Sequence, residues 1–348
     1  MPHEPVLGWD LGGAHIKAAL VEQQGKVTAV VQTPCPLWMG LDKLEQGIET
    51  VLKGVAAAPG LMHAVTMTGE LVDLFPDRAS GVRELITVMR HHLSAGRLQI
   101  YGGSAGFLDP QSALSRTPEV ASANWLASAS LTAERIPEGL FVDVGSTTTD
   151  LIPITGSRVR ASGYSDHQRL VREELLYTGV IRTPLMAVAR RAPFSGEWVS
   201  LVAEQFATTA DIYRLTGELP EDSDLLPSAD NGEKTAIGSA RRLARMLGLD
   251  ADAAGMETWQ GVSRFLSEQQ LRALADACER LLSGSGLSAS APLVGAGTGR
   301  FLVKRLSDRL GRPYLDFSEF FSCTEQLKAK VAECAPAVAV ASLAIGAA

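Results

Sequence analysis

The chain has 348 residues, enough for two domains or one large one with an ample core. Charged residues make up 20% of it and apolar residues 46%, the usual balance of a globular protein, and the formal net charge is −7. Because the net charge is negative and no Lys/Arg run is present, we expect neither a nucleic-acid nor an anionic-membrane partner, and any anionic substrate needs a local site.

The first third of the chain predicts an α/β domain. Apolar alternation and short glycine turns indicate strands, and apolar residues three or four apart indicate helices. In chain order these are strands Val6–Leu11, Ile16–Glu22 and Val27–Thr33, helix Leu41–Val55, strand His63–Gly69, a helix from about Gly81 to Leu93, and strand Arg97–Tyr101. The order βββαβαβ is that of an RNase-H-like domain, which we place at residues 1–135.

The pattern begins again near Gly139, so we place a second RNase-H-like domain at residues 136–348. Its expected strands are Leu140–Val144, Asp150–Ile154, Arg158–Ala161 and Pro292–Gly295. Its expected helices are Gln168–Leu176, Ala203–Leu215, Glu233–Leu247, Thr258–Phe265, Glu268–Leu282 and about Arg300–Leu310. The acidic segment Pro220–Asp230 is predicted to be a surface loop, and the last helix is expected to begin after Pro336 and to pack on the first domain.

The cysteines and the C-terminal apolar run indicate the cellular compartment in which we expect the protein. The cysteines show no CxxC spacing: Cys35, Cys278, Cys323 and Cys334. With no signal peptide either, we expect reduced, mostly buried thiols in a cytoplasmic protein. The apolar run 337–348 is shorter than the roughly 20 residues that a bilayer requires, so no membrane partner is expected.

Two strand–Asp–Gly–turn–strand units are the main functional signal. Residues 6–20 read VLGWDLGGAHIKAAL, and residues 140–153 read LFVDVGSTTTDLIP. Such a turn directs backbone N–H groups and hydroxyls at one point, and Asp10 and Asp143 stand where each can hold a cation beside them. The pair therefore predicts a phosphate or diphosphate bound with Mg²⁺, with capping of the turn as the alternative role of each aspartate.

The two units resemble the phosphate-1 and phosphate-2 loops of the actin, sugar-kinase and heat-shock-ATPase clan. A third stretch, PLVGAGTGRFLV at 292–303, resembles the adenosine loop of that clan. The resemblance implies an α/β fold of two RNase-H-like (actin-like ATPase/sugar-kinase) domains flanking a cleft. It implies a phosphate site at Gly12, Gly13, His15, Gly145, Ser146, Thr147 and Thr148, a substrate or nucleotide site at Gly295, Gly297, Thr298 and Gly299, and metal ligands Asp10 and Asp143. The alternatives are that His15 is an ordinary surface residue and that residues 295–299 only turn the chain.

Six further segments narrow the resemblance to one family. They read VTMTGELVD (65–73), ASANW (121–125), DVGSTTTD (143–150), ELLYTGVIRTP (174–184), EQFATTADIYRLTGEL (204–219) and RRLARMLGLD (241–250). Together they are similar to the hydantoinase/oxoprolinase-related proteins, and most of all to the small single-chain branch found beside tetrahydromethanopterin-linked one-carbon genes. Large members of the family are far longer, so imide-ring hydrolysis on their model is not expected.

That branch implies a Mg²⁺-dependent transferase of methanofuran biosynthesis. Its reaction condenses (5-aminomethyl-3-furyl)methyl diphosphate with γ-glutamyltyramine and releases pyrophosphate. The catalytic candidates are Asp10, Asp143, Asp150, Glu70 and Lys17. Asp150 and Glu70 are alternative bases for the phenol proton, and Asp150 can equally be a hydrogen-bonding residue of the turn. Lys17 is either a phosphate contact or a solvated residue on an edge strand. Arg182 is either a carboxylate ligand or part of a structural ion pair.

Two other functions remain open from the sequence. The first is an ATP-dependent small-molecule kinase, and the second is a non-enzymatic nucleotide-binding module. ATP is a ligand that the transferase hypothesis does not require. A diphosphate and a phenolic amine are the expected small-molecule partners, and a homodimer is one assembly that the sequence permits.

Overall fold

The first three strands form an antiparallel meander in a computed structural model, which describes residues 4–55, 60–93 and 97–347. The elements up to residue 135 are β1 (Val6–Leu11), β2 (His15–Glu22), β3 (Lys26–Pro34), α1 (Leu41–Gly54), β4 (Met62–Met67), α2 (Arg78–His92), β5 (Arg97–Tyr101), β6 (Phe107–Leu108), α3 (Pro110–Ser115), α4 (Thr117–Val120) and α5 (Asn124–Arg135). Their strands join in the order β3-β2-β1-β4-β5-β6, with β1, β4 and β5 parallel. The βββαβαβ order is confirmed.

A second sheet lies between residues 138 and 316. The elements of this region are β7 (Glu138–Val144), β8 (Thr149–Thr155), α6 (Asp166–Val171), β9 (Leu175–Leu176), α7 (Leu185–Val188), β10 (Arg191–Phe194), β11 (Glu197–Ser200), α8 (Thr209–Thr216), α9 (Ala236–Met246), α10 (Met256–Ser285), β12 (Leu293–Ala296), α11 (Arg300–Leu310) and β13 (Tyr314–Asp316). The sheet has the order β13-β12-β7-β8-β9, and β10 and β11 form a separate hairpin.

The described chain divides into two compact units. One contains the residues up to 137, residues 156–159 and the residues from 316 onwards, and the other contains residues 138–155 and 160–315. The last two helices, α12 (Glu325–Glu333) and α13 (Ala335–Ala347), thus belong to the first unit. The predicted domain ranges, 1–135 and 136–348, stay a prediction.

Helix α13 covers one face of the first sheet. It packs against β1, β2, β4 and α5, and a Cβ on Gly8 of β1 would lie 2.0 Å from the carbonyl oxygen of Ala337. Glycine at position 8 therefore allows helix and strand to approach closely. On the other face, Trp9, Leu11 and Val65 belong to an apolar core completed by α1 and α2.

No single helix in the described ranges is long and apolar enough to cross a membrane. Helices α12 and α13 pass that test together, by length and composition only, although the pair is bent by 95°. Most of α13 is buried within the first unit, as the expected packed helix would be.

Several predicted elements of the second unit are wrong. Residues 158–161 form no strand, and the place beside β8 is taken by β9. The reason is that the buried Glu174 carboxylate accepts hydrogen bonds from the backbone N–H groups of Ser162 and Gly163, at 2.6 and 3.1 Å, which holds this segment in an irregular path. The predicted helix over residues 168–176 ends at Val171, because residues 175–176 pair with β8 as a strand.

The helical predictions differ mainly in length. The two helices expected at 258–265 and 268–282 are one continuous helix, α10, because apolar residues recur across the supposed gap and no glycine or proline interrupts it there. Helix α8 begins at Thr209 rather than at residue 203, since Thr208 and Asp211 form a capping box. The β10–β11 hairpin was not predicted.

Candidate active site

In the first unit, the predicted phosphate-1 turn joins β1 to β2. The Gly12 N–H donates to the His15 carbonyl at 3.0 Å and closes the turn, and a Cβ at Gly12 would lie 2.8 Å from the same oxygen. Asp10 pairs in register with Lys17 across the two strands. The structure therefore brings Asp10, Gly12, Gly13, His15 and Lys17 into one hairpin, with Asp10 and His15 buried.

Glu70 lies beside the same hairpin. The Thr68 N–H donates to the Leu11 carbonyl at 3.0 Å, and a Cβ at Gly69 would stand 3.1 Å from that oxygen. The Glu70 side chain is 1% exposed and accepts a hydrogen bond of 2.9 Å from Ser122 Oγ. Ser122 has φ of +52°, a left-handed conformation that few non-glycine residues adopt. Two of the segments that carry the family resemblance thus meet at the Ser122–Glu70 hydrogen bond.

Lys17 and Asp10 lie close to the start of α13. Lys17 Nζ donates to the carbonyl oxygen of Glu333 at 2.8 Å, at the end of α12. Thr66 of β4 is the register partner of Asp10 in the parallel pair, so three polar residues form one row across β2, β1 and β4. Burial raises the pKa of the neighbouring Cys334 to about 12, so its thiol stays protonated.

In the second unit, the predicted phosphate-2 turn joins β7 to β8. The Gly145 N–H donates to the Thr148 carbonyl at 2.9 Å, and Asp143 pairs in register with Asp150. Within the described part of the chain, the buried Ser146 Oγ has no hydrogen-bond partner. A buried hydroxyl without a partner costs stability unless a ligand or water satisfies it, so the turn of residues 145–148 has a donor ready for an anion.

The predicted glycine turn after β12 packs directly on this loop. Gly297 has φ of +82°, and a Cβ there would stand 2.3 Å from Asp143 Oδ1. The Gly299 N–H donates to the Val144 carbonyl at 2.8 Å. Asp143, Gly145–Thr148 and Gly297–Gly299 are therefore gathered in one place. Gly295 has a separate reason to be glycine, because a Cβ there would stand 2.6 Å from the Tyr314 ring.

Residues 178–182 hold the phosphate-2 loop from the other side. The Val180 N–H donates to the Gly145 carbonyl at 3.0 Å, and the N–H groups of Ile181 and Arg182 donate to the Ser146 carbonyl at 3.1 and 2.9 Å. Arg182 is thus placed at the loop by its backbone, while its side chain is exposed. The segments DVGSTTTD and ELLYTGVIRTP form a single hydrogen-bonded unit.

Asp150 is paired with an arginine that the sequence reasoning missed. Arg169 Nη2 donates to Asp150 Oδ1 at 2.6 Å and to the Glu174 carbonyl at 3.0 Å. Burial raises the pKa of Asp150, and the Arg169 charge opposes that rise. The Asp150 side chain is 14% exposed and Arg169 2%. Arg169 stands in a polar stretch of α6 without any motif, so only the folded structure identifies it.

Other residues of the resemblance segments pack in the core or form buried hydrogen bonds. Trp125 is buried, and Asn124 Oδ1 accepts a hydrogen bond from the Trp125 N–H at 2.8 Å. Asp211 is buried and accepts a hydrogen bond from Arg242 Nε at 2.9 Å, so two more of the resemblance segments meet there.

The donors present are of the kind that Mg²⁺ prefers. Asp10 and Asp143 each place a carboxylate beside a glycine turn of its own unit. Across residues 4–55, 60–93 and 97–347, no group of three His, Cys, Asp or Glu side chains converges as a metal site. Mg²⁺ commonly uses one or two carboxylates plus substrate phosphates, so this donor set fits the ion.

Comparisons with known proteins bear on both fold and family. The hydantoinase/oxoprolinase family profile matches residues 62–344. The chain is 31% identical over 248 residues to the (4-{4-[2-(gamma-L-glutamylamino)ethyl]phenoxymethyl}furan-2-yl)methanamine synthase of Methanocaldococcus jannaschii, which covers 71% of this chain and 72% of the relative. The synthase of the same name from Methanococcus vannielii is 34% identical over 108 residues, 31% of this chain and 48% of the relative.

Among solved structures, the nucleotide-free structure of acetone carboxylase is similar. The TM-score is 0.55 at 11% identity, over 88% of this chain and 67% of that chain. At this identity the similarity concerns the fold alone. It agrees with the predicted α/β fold class, which is confirmed.

Proposed function

Because the chain is an enzyme of the hydantoinase/oxoprolinase family, we propose that it is a Mg²⁺-dependent transferase that joins a phenol to a furylmethyl carbon with loss of pyrophosphate. The substrates of this proposal are (5-aminomethyl-3-furyl)methyl diphosphate and γ-glutamyltyramine, and the pathway is that of methanofuran or an analogue. The name of the M. jannaschii relative supports it, since the compound named there is an ether between a phenoxy group and a methylene on a furan.

The proposed reaction is a substitution at carbon. The phenol oxygen forms a bond to the furylmethyl carbon, the bond from that carbon to the diphosphate oxygen breaks, and its electron pair leaves with pyrophosphate. The phenol proton goes to a base. The electron-rich furan ring shares the positive charge that develops on the methylene carbon, so the remaining need is to stabilise the departing anion.

The loop of residues 145–148 is the observation that carries the diphosphate part of this proposal. It is a closed glycine turn, it is held from both sides, and it contains the buried Ser146 hydroxyl without a partner among the described residues. Donors fixed in advance at the site of a developing negative charge each supply about 2–4 kcal/mol of transition-state stabilisation. A rigid, donor-bearing loop suits that task.

Asp10 and Asp143 are each proposed as Mg²⁺ ligands, with Lys17 as a further positive charge near Asp10. When bound, Mg²⁺ supplies charge neutralisation for the leaving group. Asp150 is favoured over Glu70 as the base, because 14% of the Asp150 side chain is exposed whereas Glu70 is 1% exposed. Burial also raises the pKa of Asp150 above its usual range, which brings the carboxyl closer to the pKa of a phenol, about 10.

Arg182 is proposed to bind the carboxylate of the glutamyl group. Its backbone is fixed at the phosphate-2 loop by the hydrogen bond to the Ser146 carbonyl, partial burial lowers the pKa of its guanidinium, and a guanidinium can form a bidentate pair with a carboxylate. The aromatic side chain of Tyr177, which is 58% exposed, lies within electrostatic reach of Arg182. A ligand with an aromatic ring and a carboxylate suits this pair of side chains.

An ATP-dependent small-molecule kinase is the second candidate. The glycine turn at residues 297–299 favours it, because this turn packs on Asp143 as a nucleotide-binding loop would. The two candidates differ in their products, since the transferase releases pyrophosphate without ATP and the kinase forms ADP.

The test measures pyrophosphate and ADP from purified protein with Mg²⁺. One mixture contains furylmethyl diphosphate and γ-glutamyltyramine, and the other contains ATP with small phenols or alcohols. The proposal expects pyrophosphate from the first mixture alone, and its loss in the Asp10→Ala and Asp143→Ala variants. ADP from the second mixture without pyrophosphate from the first refutes the transferase and supports the kinase.

A further inference from the structure

The peptide group of Gly179 packs against the phosphate-2 loop. A Cβ at Gly179 would lie 2.5 Å from the carbonyl carbon and oxygen of Ser146 and from the Thr147 nitrogen. The Gly179 backbone is therefore packed on the Ser146–Thr147 peptide bond with no space for a side chain. If Gly179 is displaced, the Ser146–Thr147 backbone in contact with it must therefore move as well.

Three side chains from different parts of the second unit hold this one peptide. The Gly179 N–H donates to Thr183 Oγ1 at 2.8 Å. The Gly179 carbonyl accepts from Thr209 Oγ1 of α8 and from Gln270 Nε2 of α10, both at 2.9 Å. Gln270 Nε2 also donates to Thr178 Oγ1 at 2.7 Å, and the Thr178 carbonyl accepts from Thr149 Oγ1, at the end of the loop, at 2.7 Å.

Gln270 is itself held in one orientation. Its Oε1 accepts a hydrogen bond from the hydroxyl of Tyr213, which leaves the amide nitrogen facing Thr178 and Gly179. Gln270 is 2% exposed and Tyr213 is fully buried. A buried amide with its donors and acceptor satisfied is a rigid connection, because breaking any one of its bonds leaves a desolvated polar group.

We propose that Gln270 is a positioning residue for the diphosphate loop. It acts through Thr178 and Gly179, and it makes no contact with the reacting atoms. This inference rests on the proposed function, in which the loop of residues 145–148 binds the diphosphate. Without Gln270, the Gly179 carbonyl keeps only the Thr209 bond, and the Gly179 peptide loses one of the three side chains that hold it.

The main variant is Gln270→Met, which keeps the side-chain length and removes every hydrogen bond. The matched control is Leu281→Ala on the same helix, about 16 Å along the helix axis from Gln270, which removes core packing in the same apolar cluster. Tyr213→Phe is a second test variant that keeps the Gln270 amide and removes only its anchor. Calorimetry with Mg²⁺ measures the affinity of the protein for inorganic pyrophosphate, the ligand proposed for the loop. The kinetic constants kcat and KM are measured alongside.

We expect Gln270→Met to weaken pyrophosphate binding about tenfold and to lower kcat about ten- to a hundredfold, since a displacement of about 1 Å costs up to two orders of magnitude. Leu281→Ala is expected to lower the melting temperature and to keep pyrophosphate affinity. Tyr213→Phe is expected to lower pyrophosphate affinity and kcat as well, but by less than Gln270→Met. If Gln270→Met does not fold, Tyr213→Phe alone tests the positioning role.

Each contrary result has one reading. If the wild type binds pyrophosphate and Gln270→Met and Tyr213→Phe bind it equally well, the positioning role is refuted while the proposed function stands. If Leu281→Ala loses as much pyrophosphate affinity as Gln270→Met, the loss comes from general destabilisation, and the positioning role is again refuted. If the wild type binds no pyrophosphate, the loop is not a diphosphate site, and both the inference and the proposed function fail.

Discussion

Substitution of Gly179 by alanine tests the coupling between the 178–182 segment and the phosphate-2 loop. The new Cβ would stand 2.5 Å from Ser146 and Thr147 backbone atoms, and an ordinary contact begins at 3.4 Å, so the two backbones must separate by roughly 0.9 Å, the difference between these distances. The neighbouring atoms are main-chain atoms, so no side-chain rotation relieves the overlap. Because hydrogen bonds hold the Gly179 peptide in place, we expect the loop to move.

The expected loss follows from that displacement. A misplacement of about 1 Å costs up to about a hundredfold in rate, so kcat for pyrophosphate release should fall by that order. Overpacking of a buried site typically costs about 1–3 kcal/mol, so the free energy of unfolding should fall by that amount while the protein still folds. The two quantities are measured by a coupled pyrophosphate assay and by denaturant unfolding.

Gly284→Ala is the matched control for this experiment. Gly284 lies in α10, where a Cβ would have no neighbouring atom within 4 Å, and alanine favours a helix by about 1 kcal/mol over glycine. We expect Gly284→Ala to keep full activity with unchanged or higher stability. Wild-type kcat in a folded Gly179→Ala protein would contradict the reasoning, since the loop would then tolerate displacement without loss of function.

Three further predictions concern single side chains. Ser146→Ala should leave the melting temperature unchanged or slightly higher, because the buried hydroxyl that it removes has no partner among the described residues. It should lower kcat by about 10²–10³ in the pyrophosphate assay. Arg169→Met should lower the free energy of unfolding by about 3–5 kcal/mol in a denaturant titration, because it leaves the Asp150 carboxylate buried without its cation; retention of wild-type stability would show that the pair is dispensable. Burial lowers the pKa of His63 to about 4, and its Nδ1 accepts from Trp9 Nε1 at 3.2 Å. As the pH falls, His63 therefore binds a proton in the unfolded chain before it does so in the folded protein. We expect this group to lower the free energy of unfolding by about 2 kcal/mol between pH 7 and pH 5, and His63→Gln should remove this pH dependence.

The two phosphate-type hairpins were predictable because the residues that form each hairpin are close together in the sequence. An apolar strand, an aspartate, a glycine turn and a second strand are consecutive in sequence, and the structure has β1–β2 and β7–β8 at those positions. The helices with strong apolar periodicity were predictable for the same reason, and the last helix was predictable from its apolar run around Pro336.

The supports of the loop could not be predicted, because they come from distant positions. Gln270 reaches Gly179 across 91 residues, and Ser122 reaches Glu70 across 52. Neither side chain stands in a pattern that distinguishes it from an ordinary polar residue. Likewise, β9 takes the place expected for residues 158–161 because the buried Glu174 carboxylate holds Ser162 and Gly163, which periodicity cannot show.

The position of bond cleavage tests the central claim most directly. Furylmethyl diphosphate with ¹⁸O at the oxygen that bridges carbon and phosphorus is incubated with γ-glutamyltyramine, Mg²⁺ and the enzyme, and the products are analysed by mass spectrometry. Substitution at carbon predicts that all the label leaves in pyrophosphate and that the ether oxygen comes unlabelled from the phenol. Label retained on the furylmethyl product would show that a phosphorus–oxygen bond breaks instead, and would contradict the proposed transferase.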